Sequence, residues 1–97
     1  MFIFNLTYRK PIAEVDRVLP AHRAFLDQQY QQKKFICSGP KTPRVGGIIL
    51  CSCATREEAE AVMKQDPFYT ENIADYEVIE FSPVKSLDGF AQLLENK

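Results

Sequence analysis

The sequence predicts an α+β protein of the ferredoxin-like plan, a four-stranded antiparallel sheet with two helices on one face. Three observations carry this expectation. Stretches of strand period and helix period alternate as βαββαβ, turn residues punctuate their boundaries, and the third strand is apolar on both sides. Ile48, Ile49, Leu50, Cys51 and Cys53 leave that strand no polar face, so the helix-free side of the sheet also needs a cover. A second copy packed sheet to sheet, related by a two-fold axis, is the economical cover.

The elements follow in order. Phe2, Phe4, Leu6 and Tyr8 fall on one face of a strand over 2–8, with Ile3, Asn5 and Thr7 on the other. Arg9, Lys10 and Pro11 end it, and Ile12 to Leu19 carries no clear assignment. Pro20 suits the first turn of a helix, where its missing N–H loses no bond, and the helix runs to about Lys34. A short strand over Phe35 to Ser38 stops at Gly39-Pro40, a loop with Pro43 covers Lys41 to Arg44, and a longer strand spans Val45 to Cys53. Thr55 and Glu58 have the spacing of a capping box, which opens a second helix from Arg56 to about Gln65. Asp66-Pro67 breaks that helix, an irregular turn leads to Ile73, and Tyr76 to Phe81 alternates like a strand. The single domain fills residues 1–97, with its core ending near residue 83 and an amphipathic tail carrying Leu87, Phe90, Leu93 and Leu94.

Composition narrows the function classes. The 97 residues are 45% hydrophobic and 26% charged, with a formal net charge of -1 and no basic block or acidic tail, so nucleic acid and membrane are not expected partners. The chain opens with no signal-peptide pattern, and Cys37, Cys51 and Cys53 are odd in number and sit within apolar runs; a reduced, cytoplasmic setting is expected. There is no P-loop, no glycine-rich dinucleotide turn and no credible metal spacing, so neither cofactor nor metal is expected. Cys51 and Cys53 with His22 imitate a zinc set only loosely, and buried packing is the ordinary use of such cysteines.

Topology makes His22 and Asp66 the candidate catalytic pair. In a βαββαβ layer the start of the first helix and the end of the second share one rim. His22 is followed by Phe25, Leu26, Gln29 and Tyr30 at inward spacings, and Asp66 continues the stripe of Ala59, Val62 and Met63. An imidazole held by a carboxylate is the commonest general base near neutral pH. The same rim gathers Tyr8, Arg9, Ser38, Gly39, Pro40, Gly46, Gly47, Asp75 and Tyr76, and Phe68 follows the second helix; Tyr8, Arg9, Ser38, Gly39, Pro40 and Phe68 are the candidate substrate-binding residues. Arg9, Lys10, Arg23 and Arg44 form a solvated basic rim that, beside a pocket, favours an anionic substrate. Each residue also has a packing explanation: a lone histidine packs on a helix face, and an Asp before Pro caps the next turn.

Pro20-Ala21-His22, Ser38-Gly39-Pro40 and Asp66-Pro67-Phe68, in this order and spacing, resemble the YciI-like (YCII-related) family of small bacterial proteins, over Phe2 to about Lys85. The resemblance implies a dimeric α+β barrel of ferredoxin-like subunits with an active site on a His and Asp pair, which by motif are His22 and Asp66. It also implies links to dehydrohalogenase or related lyase chemistry, with muconolactone isomerases and cofactor-independent monooxygenases as wider relatives. The basic Lys41 to Arg44 connection and the tail after Pro83 depart from the family pattern, so a substrate does not carry over.

Together these readings point to a small-molecule enzyme that abstracts a proton, with elimination or isomerisation as outcome. The alternative is a non-catalytic dimeric module that binds a small ligand or a protein at the same rim. A third reading, a stress protein using Cys37, is opposed by the apolar neighbours of the cysteines.

Overall fold

The computed structural model describes residues 1–90 and 92. Strand β1 is Phe2–Tyr8, with Phe2, Phe4 and Leu6 buried and Ile3, Asn5 and Thr7 on the opposite side, as a period of two requires. Helix α1 is Ile12–Gln31. It therefore begins eight residues before the expected start, and Pro20 lies inside it rather than at its first turn.

The reason is the apolar stripe. Val15, Val18, His22, Phe25 and Gln29 are buried at alternating spacings of three and four, one continuous face that runs straight through the proline. An interior proline forgoes one backbone bond and costs about 3 kcal/mol. Burying Val15 and Val18, at roughly 1.5–3 kcal/mol each, offsets that loss.

Strand β2, Phe35–Pro40, runs two residues past its expected end at Ser38, since Gly39 and Pro40 keep pairing with Ile48 and Gly47. As an edge strand it tolerates a proline, whose absent N–H interrupts no inner ladder. Strand β3 is Gly46–Cys51, shorter than expected at both ends. Val45 instead offers its carbonyl to the Tyr8 N–H at 2.9 Å, and the Ser52 N–H turns to the Lys34 carbonyl at 2.7 Å. Helix α2, Arg56–Met63, starts with the Glu58 N–H donating to the Thr55 hydroxyl at 3.1 Å, which is the hydroxyl half of the capping box. It stops two residues short of Gln65, and the one-turn helix α3, Pro67–Thr70, follows. Strand β4 is Ala74–Glu80, two residues earlier than expected because Ala74 already pairs with Tyr8.

All pairings are antiparallel and the strand order is β2-β3-β1-β4. One core joins residues of the three helices over Phe2, Phe4 and Leu6. The reverse face of the sheet has no such cover: Ile48 and Ile79 are about two-fifths exposed there. Past β4, Val84 and Leu87 are 88% and 85% exposed, and Leu93 and Leu94 of the expected tail lie outside the described residues. Among the described residues no helix is long and apolar enough to cross a membrane.

The β1–β3 pairing has a tight point. A Cβ added at Gly46 would stand 1.8 Å from the Leu6 carbonyl oxygen, whereas one added at Gly39 would meet nothing within 4 Å. Gly46→Ala is expected to cost about 1–3 kcal/mol or more in urea unfolding. Gly39→Ala, at an ordinary φ, should change stability by under about 1 kcal/mol. Equal shifts of the two midpoints would show that the close approach is absent.

Candidate functional site

Asp66 follows α2 as the last inward position of its stripe and is fully buried. It is also the N-cap of α3, accepting the Phe68 N–H on Oδ1 at 2.9 Å. The same Oδ1 lies 2.8 Å from His22 Nδ1, and Oδ2 accepts a hydrogen bond from the Tyr76 hydroxyl. The His22 ring stacks on Phe68, centroids 3.9 Å apart and planes 5° from parallel. The pair thus meets as the topology argument expects, although His22 sits in the third turn of α1 and does not open it.

The hydrogen-bond partners of Asp66 favour one His22 tautomer. Burial first, then the negative charge of Asp66 and its hydrogen bond, push the Tyr76 phenol far above the usual tyrosine range, so Tyr76 keeps its proton and donates. A carboxylate only accepts, and His22 Nδ1 must therefore carry the hydrogen directed at Oδ1. In the neutral ring this leaves the lone pair on Nε2, which hydrogen-bonds to none of the described residues.

His22 lines a cleft of about 360 Å³ between α1, the Pro40 end of β2 and the Gly46 end of β3. Tyr8, Ser38, Gly39, Pro40 and Phe68, five of the six expected binding residues, line it with His22. Arg9 is not among its lining residues and instead faces Asp75 at 3.5 Å, both side chains well exposed. Ser38 Oγ is 2.6 Å from the Tyr30 hydroxyl. Arg23 and Arg44 also reach the cleft, and Arg44 binds Asp16 at 2.6 Å.

Sequence reasoning missed Asp16 and Leu19, and it placed Tyr76 on the shared rim without assigning it a role at Asp66. The first two fall in the stretch left unassigned before Pro20, and the Val15–Val18–His22 spacing was the signal that could have placed them on the helix. For Tyr76 the signal was indirect: a buried Asp66 needs donors, and the first residues of the last strand share its rim.

The cysteines lie elsewhere. Cys51 pairs with Phe2 at the end of β3 remote from Gly47, and its sulfur is 3.1 Å from that of Cys53. That contact first, and burial second, raise the Cys53 thiol well above its ordinary range, which disfavours thiolate chemistry. Cys37 is exposed on β2. No set of three or more His, Cys, Asp or Glu among the described residues is placed to hold a metal ion.

Comparison with known proteins adds two findings. The family model of the YCII-related domain matches residues 1–82. Among solved structures, the chain is similar to 5-chloro-2-hydroxyhydroquinone dehydrochlorinase from Burkholderia phenoliruptrix AC1100, in complex with 2,5-dihydroxybenzoquinone. The TM-score is 0.66 at 17% identity, covering 84% of this chain and 94% of that one. No curated protein matches the chain.

The raised Tyr76 group has a pH consequence. Its contribution is fully present below the unfolded tyrosine value near pH 10; above it the unfolded chain releases a proton that the native state retains, so stability falls as pH rises. Relative to Tyr76→Phe, the wild type should lose about 1.4 kcal/mol per pH unit above that point. Parallel stability curves for the two proteins between pH 9 and 11 would contradict the assignment.

Proposed function

Because this chain belongs to the YCII-related domain family and sets an imidazole nitrogen in a cleft against a buried carboxylate, we propose that it is a cofactor-independent acid–base enzyme acting on a small organic molecule. The observation that carries the proposal is the 2.8 Å contact between His22 Nδ1 and Asp66 Oδ1 on a residue that lines the cleft. With the Nδ1 hydrogen directed at Asp66, Nε2 keeps its lone pair and serves as the base toward the cleft that His22 lines. A substrate C–H or O–H proton passes to Nε2, and the imidazolium that forms is stabilised by Asp66. In an elimination the released electron pair becomes a new π bond as the leaving group departs with its own pair. In an isomerisation the proton returns at another carbon. The dehydrochlorinase activity named for the similar structure favours elimination of this kind, by analogy of fold.

The proposal extends to assembly. Two ferredoxin-like subunits pack sheet to sheet as a dimeric α+β barrel in the cytoplasm. The exposure of Ile48 and Ile79 on the helix-free face of the sheet supports this arrangement, because a monomer leaves that apolar surface in water.

Two measurements test these readings. Deuterium incorporation and halide release, followed over a panel of cyclic ketones, lactones and halogenated hydroxybenzenes, should fall about 10²- to 10⁴-fold in His22→Gln. Asp66→Asn should also lose turnover while costing about 1–3 kcal/mol of stability, since three donors converge on that carboxylate. Unchanged turnover in His22→Gln would remove His22 from the chemistry. Light scattering should report about 22 kDa, twice the 11.1 kDa chain, and Ile48→Glu should shift it toward the monomer; a wild-type monomer at micromolar concentration would refute the dimer.

A further inference from the structure

The cleft that holds His22 is built for charge as well as for shape. Of its ionised lining residues, Asp16 is engaged by Arg44 at 2.6 Å, while Arg23 has no ion pair among the described residues. Asp66 lies beneath, but it is fully buried and its oxygens already receive three hydrogen bonds. The mouth therefore carries a surplus positive charge, one residue along α1 from the base.

Arg44 is held in place rather than free to swing. Its loop is tied by the Lys41 N–H to the Gly46 carbonyl at 2.9 Å, the Val45 N–H to the Pro43 carbonyl at 2.8 Å, and the Tyr8 N–H to the Val45 carbonyl at 2.9 Å. Its Nη2 is committed to Asp16 and the guanidinium also interacts with the Tyr8 hydroxyl, yet with five N–H donors it retains capacity for a further oxygen-bearing group. The lining also includes an apolar set, Leu19, Leu26, Ile49 and Phe68. A cavity of about 360 Å³ is near the small end for ligand sites.

Building on the acid–base reading of His22, we propose that the cleft selects a small organic monoanion. An apolar, ring-sized body lies against Leu19, Leu26 and Phe68, and a carboxylate or comparably acidic oxygen is held by Arg23 and Arg44. Arg23 and Arg44 are then specificity-determining residues, and Asp16 orients Arg44 without contacting the substrate's charge.

Benzoate and benzamide, nearly identical in shape and differing in charge, are suitable probes. In titrations followed by amide chemical shifts at neutral pH and low salt, benzoate should bind at least about tenfold more tightly than benzamide, and added salt should narrow the gap. Arg23→Gln should reduce the preference severalfold, and Arg23→Gln with Arg44→Gln should abolish it while benzamide affinity stays put. Equal binding of the two probes, a preference that survives the double substitution, or no shift of cleft resonances with either probe would overturn the proposal. The two readings fail separately. An anion preference accompanied by unchanged deuterium exchange in His22→Gln sinks the catalytic reading alone, and lost exchange in His22→Gln with no anion preference sinks the monoanion site alone.

Discussion

The buried carboxylate of Asp66 is the constraint on which the rest of this structure depends. Taking an ionised group out of water costs several kcal/mol unless its oxygens are fully hydrogen-bonded. Here three donors meet that requirement, and they come from three elements: His22 from α1, the Phe68 N–H from α3 and the Tyr76 hydroxyl from β4. The carboxylate therefore fixes α1 against both the turn that ends α2 and the outer strand of the sheet. The position of the cleft follows, because one of its walls is α1 and the other is the end of β2 and β3.

Strands were the most legible part of the sequence, because a period of two in Phe2–Tyr8 and in Tyr76 to Glu80 reports directly which side faces the core. Thr55 and the Asp66-Pro67 step were legible for a related reason: each signals through local backbone chemistry that tertiary packing leaves intact. Pro20 was misread because local propensity and long-range packing disagree there. Its ring favours a helix start, whereas the stripe formed by Val15, Val18 and His22 demands that the helix already be under way. Packing prevails, and with it come Asp16 and Leu19 of the cleft. The exclusion of Arg9 from that lining was not readable, since the direction of an exposed arginine is set by a neighbour, Asp75, brought close only by the β1–β4 register.

The two stripes of α1 explain how one residue can be both packed and chemically available. Val15, Val18, His22, Phe25 and Gln29 face the core, and Asp16, Leu19, Arg23 and Leu26 lie alongside them toward the cleft. His22 sits where the stripes adjoin. Its ring face is spent on Phe68 and its Nδ1 on Asp66, yet the ring still lines the cavity. A residue one position further round the helix would be solvated and free to reorient, and one fully within the core would meet no ligand.

Capping and base orientation, which the sequence presents as competing explanations of Asp66, use the same atom. Oδ1 receives both the Phe68 N–H at 2.9 Å and the His22 Nδ1 hydrogen at 2.8 Å, while Tyr76 occupies Oδ2. The carboxylate cannot rotate toward or away from the imidazole without giving up the cap, and it cannot swing as a whole without leaving Tyr76. The start of α3 is thus what aims the carboxylate, and Tyr76, protonated because of where it is buried, keeps the second oxygen from competing for the ring. The cap of α3 and the hold on the His22 ring are here one arrangement, in which the folding of a single helical turn orients the imidazole.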